Sequence, residues 1–160
     1  MNLRPLSLIA GLLLLAACSQ NPSNTGNANA NGAAGAGVGT VVPGSAQDFQ
    51  QNVGDRVFFD FDKSTIKPEG QQTLQRQAEW LKRYPNVTVT VEGHCDDRGT
   101  REYNLALGER RATAVQRALV ALGVQANRVR TISYGKERPA VLGDNDSAWA
   151  QNRRGVTVIN

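Results

Sequence analysis

The 160-residue chain has few of the side chains that most chemistry uses: one histidine, His94, two cysteines, Cys18 and Cys95, and one methionine. With one His and two distant Cys, it lacks the three or four nitrogen and sulfur ligands that a zinc site takes at close spacing. A Cys-His nucleophile has one possible pair, His94 and Cys95, and neighbours in extended chain point to opposite faces. Aromatic residues make up only 6% of the chain, no basic run interrupts it, and the net charge of +4 is mild. Nucleic acid is therefore not a partner, since strand binding wants a basic groove with stacking rings. No apolar run approaches the roughly 20 residues that a membrane-crossing helix needs. Charge is absent from residues 5–47 and begins again only at Asp48.

The chain therefore reads as three unlike parts, 1–17, 18–47 and 48–160. Arg4 precedes an apolar stretch from Leu6 to Leu15, the positive and hydrophobic regions of a secretory signal peptide. Leu15-Ala16-Ala17-Cys18 resembles the lipobox of bacterial lipoproteins, which implies cleavage before Cys18 and acylation of its sulfur. An acyl anchor holds by burying methylene groups and spans nothing. Ser19 stands where an Asp would favour inner-membrane retention, so the expected address is the outer membrane, with the folded part facing the periplasm. From Ser19 to Gln47 the sequence is mostly Asn, Gly, Ala and Ser. It offers no large apolar side chain to offset ordering entropy and is expected to be a disordered tether. Its about 28 residues give a mean reach of roughly 30 Å.

Residues 48–160 predict a folded domain in the order strand, helix, strand, helix, strand, loop, strand. Val57, Phe59 and Phe61 alternate onto one face of a first strand over 56–62. Pro68 marks a helix start and Pro85 follows its end, which places a helix over 68–83. Val87 to Val91 alternates as a strand ending at Glu92-Gly93-His94. A second helix runs from Thr100 or Arg101 to Leu122, with Leu107, Arg111, Val115, Ala118 and Leu122 on one side and Gly123 closing it. Strands are predicted over 128–133 and 155–159, joined by a polar loop. This is an α/β (α+β) sandwich, a mixed four-stranded sheet with helices packed on one face. With Cys18 acylated, Cys95 has no disulfide partner.

The densest polar cluster, Gly93 to Thr100, lies between the second strand and the long helix, where chain ends gather donors and side chains at a rim. A metal held by His94, Asp96 and Asp97 lacks ligands, and His94 is better read as a strand-end residue satisfied by backbone. Arg111 shares the apolar stripe of the helix and needs a partner. Two readings stand: a structural ion pair with a nearby carboxylate, or an Arg fork that with Asp96 accepts a zwitterionic ligand. Asp96→Ala and Arg111→Ala are both expected to keep the fold if these side chains face a ligand. Arg153-Arg154 reads as a fold-stabilising ion pair, and Trp80 and Trp149 as packing or rim residues.

Phe59-Asp60-Phe61-Asp62, Val91-Glu92-Gly93-His94-Cys95-Asp96, Gly99-Thr100 with Tyr103-Asn104-Leu105, Leu107-Gly108-Glu109-Arg110-Arg111-Ala112, Ser133-Tyr134-Gly135 and Asn152-Arg153-Arg154 together resemble the OmpA-like peptidoglycan-binding domain. The resemblance covers roughly residues 53–160 and implies a non-catalytic domain without cofactor or metal. It implies that Asp96 takes the side-chain ammonium of diaminopimelate in the peptidoglycan stem peptide and Arg111 its carboxylate. Asp62 would stand beside the peptide, with Phe61, Thr100 and Leu107 as lining and Asn104 holding the loop. It further implies a tie between outer membrane and wall, and partners in the Tol system, chiefly TolB, competing for the same face in envelope integrity and cell division. The alternative is a wall-acting hydrolase or amidase, which needs a nucleophile and base or two spaced carboxylates. Cys95, where many relatives carry Thr or Ala, is the departure from the pattern.

Overall fold

Strand pairing decides the architecture of the computed structural model, which describes residues 41–160. The signal segment 1–17, Cys18 and the tether up to residue 40 lie outside the described residues. Four strands, β1 (Arg56–Phe58), β2 (Val89–His94), β3 (Val129–Gly135) and β4 (Arg154–Ile159), form one sheet in the order β1-β4-β2-β3. β4 runs antiparallel to both β1 and β2, whereas β3 is parallel to β2. The sheet is mixed, as predicted.

Helices α2 (Pro68–Arg83) and α3 (Arg101–Ala121) pack on one face: α3 lies over β2, β3 and β4, and α2 against β1 and α3. The core between them holds Val57, Phe59, Leu74, Leu81, Val89, Val91, Val115 and Leu119, all buried. Thr100 caps α3, its hydroxyl accepting the Tyr103 N–H at 3.2 Å, and Pro68 opens α2 as the sequence indicates. Gln77 joins α2 to the sheet, donating to the Gly54 carbonyl (2.7 Å) and accepting from the Thr157 hydroxyl (2.9 Å). No helix among the described residues is long and apolar enough to cross a membrane.

The structure departs from the sequence reading at four places. Regular structure begins before residue 48: Ser45 caps a short helix α1 (Ala46–Asp48) that runs into a π-helical turn over Phe49–Val53. Phe49 there is fully buried against Trp80, whose indole N–H donates to Asp48 at 2.8 Å. β1 stops at Phe58, because the chain turns over Asp60–Lys63, so Phe61 leaves the core face and is 56% exposed. The inward stripe of α3 runs through Leu107, Arg111, Ala112, Val115 and Leu119, with Ala118 and Leu122 only partly buried. The long polar connection before β4 contains a helix, α4 (Asp146–Asn152), capped by Asn145, whose side chain accepts the Ala148 N–H at 3.0 Å.

Candidate functional site

The C-terminal end of β2, the turn after β1 and the first turns of α3 meet at a cleft of ≈ 180 Å³. Its position follows from one close backbone approach: Gly93 of β2 faces Gly108 of α3 with no side chain between them. That seats α3 deeply enough for Leu107 and Arg111 to reach the strand end. Asp62, Asp96, Arg111, Phe61 and Leu107 all line the cleft, together with Arg98, Gly99, Tyr103 and Asn104. Thr100 does not; its hydroxyl is used in capping α3. Five of the six side chains expected at a ligand site are thus gathered from three distant segments.

Arg111 is fully buried yet forms no ion pair with Asp96. It donates from Nε to the Lys63 carbonyl (2.9 Å), from Nη1 to that of His94 (2.8 Å) and from Nη2 to that of Asp60 (3.0 Å). Neither sequence reading anticipated these main-chain partners. The bonds clamp the turn that carries Phe61 and Asp62 onto the end of β2 and use three of the five guanidinium N–H groups. Asp62 sits at φ 57°, a left-handed conformation that Asp tolerates better than most residues, and accepts a short hydrogen bond from the Tyr103 hydroxyl.

Asp96 is the buried carboxylate of the cleft. Its Oδ2 accepts from Arg98 at 2.6 Å and from Arg153 at 3.2 Å. Burial pushes its pKa up, but these two guanidinium groups more than compensate and hold it below the usual carboxylate range. Arg153 also donates to the Phe59 carbonyl at 3.0 Å, so the expected ion pair at Arg153 exists and its carboxylate is Asp96 itself. Arg154 instead donates to the carbonyls of Asn152 and Arg138. Asn104 holds the loop, donating to the carbonyls of Arg98 (2.8 Å) and Thr100 (3.0 Å). Trp149 of α4 stands at the rim with the Arg98 guanidinium 4.0 Å from its ring centroid. The sequence reading does not anticipate the participation of Arg98, Tyr103 and Arg153, to which only the density of polar residues around Arg98 points, whereas Trp149 stands at the rim, one of the two places expected for it.

Cys95 and His94 diverge. The buried Cys95 thiol donates to the Asn104 carbonyl at 3.3 Å on the helix side, and burial raises its pKa. The His94 ring stacks toward Tyr134, its Nε2 lies 3.3 Å from the Glu92 carboxylate rather than on the backbone, and its buried Nδ1 has no hydrogen-bond partner among the described residues. A Cys-His couple is geometrically excluded here, and among the described residues no three His, Cys, Asp or Glu side chains gather as metal ligands. The arrangement instead offers fixed charges of both signs over an apolar floor at Leu107, suited to a ligand carrying an ammonium and a carboxylate.

His94 adds a pH dependence. Burial, with the Arg154 charge next, lowers its pKa to about 4 from 6.5. The neutral ring's contribution is complete above pH 6.5 and is lost as pH falls through about 4, because the unfolded chain then binds the extra proton. The loss is about 3 kcal/mol in all. Urea titrations between pH 7 and 4.5 should show stability falling with acidity, and His94→Gln should flatten that slope, since no other histidine exists in the chain. An unchanged slope in the variant would assign the acid sensitivity to carboxylates.

The comparisons with known proteins agree with this geometry. The OmpA family model matches residues 58–153. The peptidoglycan-associated lipoprotein of Agrobacterium fabrum is 57% identical over 147 residues, covering 92% of this chain and 82% of that protein. That of Brucella melitensis is 55% identical over 148 residues, covering 92% and 86%. The crystal structure of the peptidoglycan-associated lipoprotein from Burkholderia pseudomallei superposes with a TM-score of 0.65 at 45% identity, covering 66% of this chain and 90% of that one. With the gathered cleft, the sheet order and these matches in hand, the chain belongs to the OmpA family, among its peptidoglycan-associated lipoproteins.

Proposed function

We propose that the chain is an outer-membrane lipoprotein, anchored through Cys18, that binds peptidoglycan non-covalently at the Asp96 cleft and so ties membrane to wall. Diaminopimelate is the ligand residue: its side chain ends in an ammonium and a carboxylate on one carbon, whereas a lysine-type stem peptide presents the ammonium alone and forgoes the second contact. The observation that carries this reading is the buried, ionised Asp96 in a cleft walled by Arg98, Arg111 and Asp62. The relatives, named for association with peptidoglycan, support it. Asp96 takes the ammonium, and the N–H groups of Arg111 not committed to the main chain face the carboxylate. Phe61 and Leu107 flank the aliphatic stem.

Two or three charge-assisted hydrogen bonds at about 1.5–3 kcal/mol each place single-site affinity on the micromolar scale. A polymeric wall and a lipid that confines the domain beside it make this sufficient through effective concentration. Partners in the Tol system, chiefly TolB, would bind the same face and compete with the wall. The buried, engaged thiol of Cys95 and the averted ring of His94 leave hydrolysis without a nucleophile and base, so the reading is a non-catalytic one.

Calorimetric titration of a diaminopimelate-containing muropeptide into the full chain in detergent tests it, with the peptide checked for cleavage afterwards. Asp96→Asn is expected to weaken binding on the order of 100-fold, the cost of one charged contact. Binding that survives Asp96→Asn would move the site elsewhere, and released fragments would revive the hydrolase alternative.

A further inference from the structure

Two guanidinium groups line the cleft, those of Arg98 and Arg111, a third, that of Arg153, reaches its Asp96, and the three are not equally held. Arg111 is tied to three main-chain carbonyls, and Arg153 is shared between Asp96 and the Phe59 carbonyl. Arg98 has one hydrogen-bond partner, Asp96 Oδ2 at 2.6 Å, the shorter of that oxygen's two contacts. Its guanidinium is sandwiched between the Phe61 ring (3.9 Å to the centroid) and the Trp149 ring (4.0 Å). Its Nε is buried without a hydrogen-bond partner, and a third of the side chain remains exposed. The backbone at this point is fixed, since Asn104 holds the Arg98 carbonyl. Only the side chain is free to leave.

We propose that Arg98 is a self-ligand: in the free protein its guanidinium occupies the place at Asp96 that an incoming ammonium takes, and binding requires it to swing out. This inference rests on the reading of the cleft as an ammonium-binding site. A cation stacked between two rings against a carboxylate is the arrangement that an ammonium-bearing ligand would itself adopt, built from the chain's own residue. The orphaned Nε makes the seat imperfect, so Arg98 holds the cleft in a defined form without locking it. Exchange of guanidinium for ammonium leaves the charge around Asp96 unchanged, so the seated Arg98 subtracts part of what the ammonium contact contributes without cancelling it.

The consequence is an affinity reduced by the fraction of molecules with Arg98 seated. With Arg98 seated in about nine-tenths of free molecules, its removal tightens binding roughly ten-fold. The factor is the same for every ligand that places an ammonium at Asp96. Calorimetry on the full chain in detergent, comparing wild type with Arg98→Gln and Arg98→Met, tests this; methionine refills the space between the rings should glutamine disturb it. Three probes suffice: a diaminopimelate tripeptide stem, a lysine-type stem, and the diaminopimelate stem acetylated on its side-chain ammonium. Both variants should bind the first two more tightly by a similar factor and gain nothing for the acetylated peptide. Weaker binding of the diaminopimelate stem alone would show that Arg98 contacts its carboxylate and would overturn the self-ligand, as would unchanged affinity. If wild type binds and the variants gain nothing, only this inference fails. If neither wild type nor variants bind any stem, the ammonium-site reading fails with it.

Discussion

Gly93→Ala is expected to cost on the order of 4 kcal/mol or more, a large share of the about 5–15 kcal/mol that holds a domain of this kind together. A Cβ on Gly93 would be driven into the Gly108 carbonyl, with the Gly108 Cα 3.1 Å away, and backbone cannot rotate aside as a side chain can. Either α3 lifts from β2, opening the core at Val89, Val91, Ala112 and Val115, or the strand end bends away from the sheet. Both movements separate Arg111 and Leu107 from Asp96. Stability and ligand binding should therefore fall together, with urea unfolding followed by circular dichroism reading the first and calorimetry the second. Gly155→Ala is the matched control: its Cβ would meet the Val115 Cγ2 at 3.1 Å and the Phe59 ring at 3.5 Å, side-chain atoms that can yield. A Gly93→Ala protein as stable as Gly155→Ala would show that the α3–β2 approach is looser than this packing implies.

Arg111→Ala is the second large effect, and its cause differs from the one that sequence reasoning expects. Truncation takes the guanidinium donors from the carbonyls of Asp60, Lys63 and His94, of which Asp60 keeps the Lys63 N–H at 3.2 Å, and opens space behind a fully buried side chain. An unsatisfied buried acceptor costs about 1–3 kcal/mol, and water entering from the cleft recovers part of it, so a loss of about 4 kcal/mol is expected. The main-chain clamp therefore predicts a loss of stability in a variant that the ligand-facing reading expects to keep its fold. Its loss of binding would not identify a ligand contact, because the turn bearing Phe61 and Asp62 is released as well. Arg111→Lys cannot span three carbonyls with one ammonium and should be intermediate. Equilibrium unfolding that places Arg111→Ala within about 1 kcal/mol of wild type would show the clamp to be dispensable.

Much of the fold is readable from local physics because the signals are local. Pro68 at a helix start, five alternating residues before Glu92 and Thr100 as a cap each act within a few residues of themselves, and α2, β2 and α3 form where these signals stand. The elements misjudged are those whose boundaries depend on a distant partner. β1 ends at Phe58 because β4 offers register only from Arg154 to Val156, and because Arg111 draws the following turn inward. Phe61, apolar and in phase with Phe59, carries nothing in its own neighbourhood to say that it will stack on Arg98 instead of entering the core. α4 has a legible cap in Asn145 but only seven residues, too few for periodicity to separate from a polar loop.

The same division holds at the site. Charge distribution, the apolar run before Cys18, the single histidine and the ordered motifs are properties of the sequence itself, and they determined the class of protein, the sheet-and-helix architecture and the choice of Asp96, Arg111 and Asp62, which the fold brings to one cleft. Which atoms satisfy Arg111, which cations stand on Asp96 and which rings stack on Arg98 were decided only by tertiary structure. Arg111 meets carbonyls 17, 48 and 51 residues away, and Arg153 reaches Asp96 across 57. Hydrogen bonds form between groups within about 3 Å in space. A sequence states the groups, while the packing of α3 on the sheet, set by the bare contact of Gly93 with Gly108, states which of them come that close.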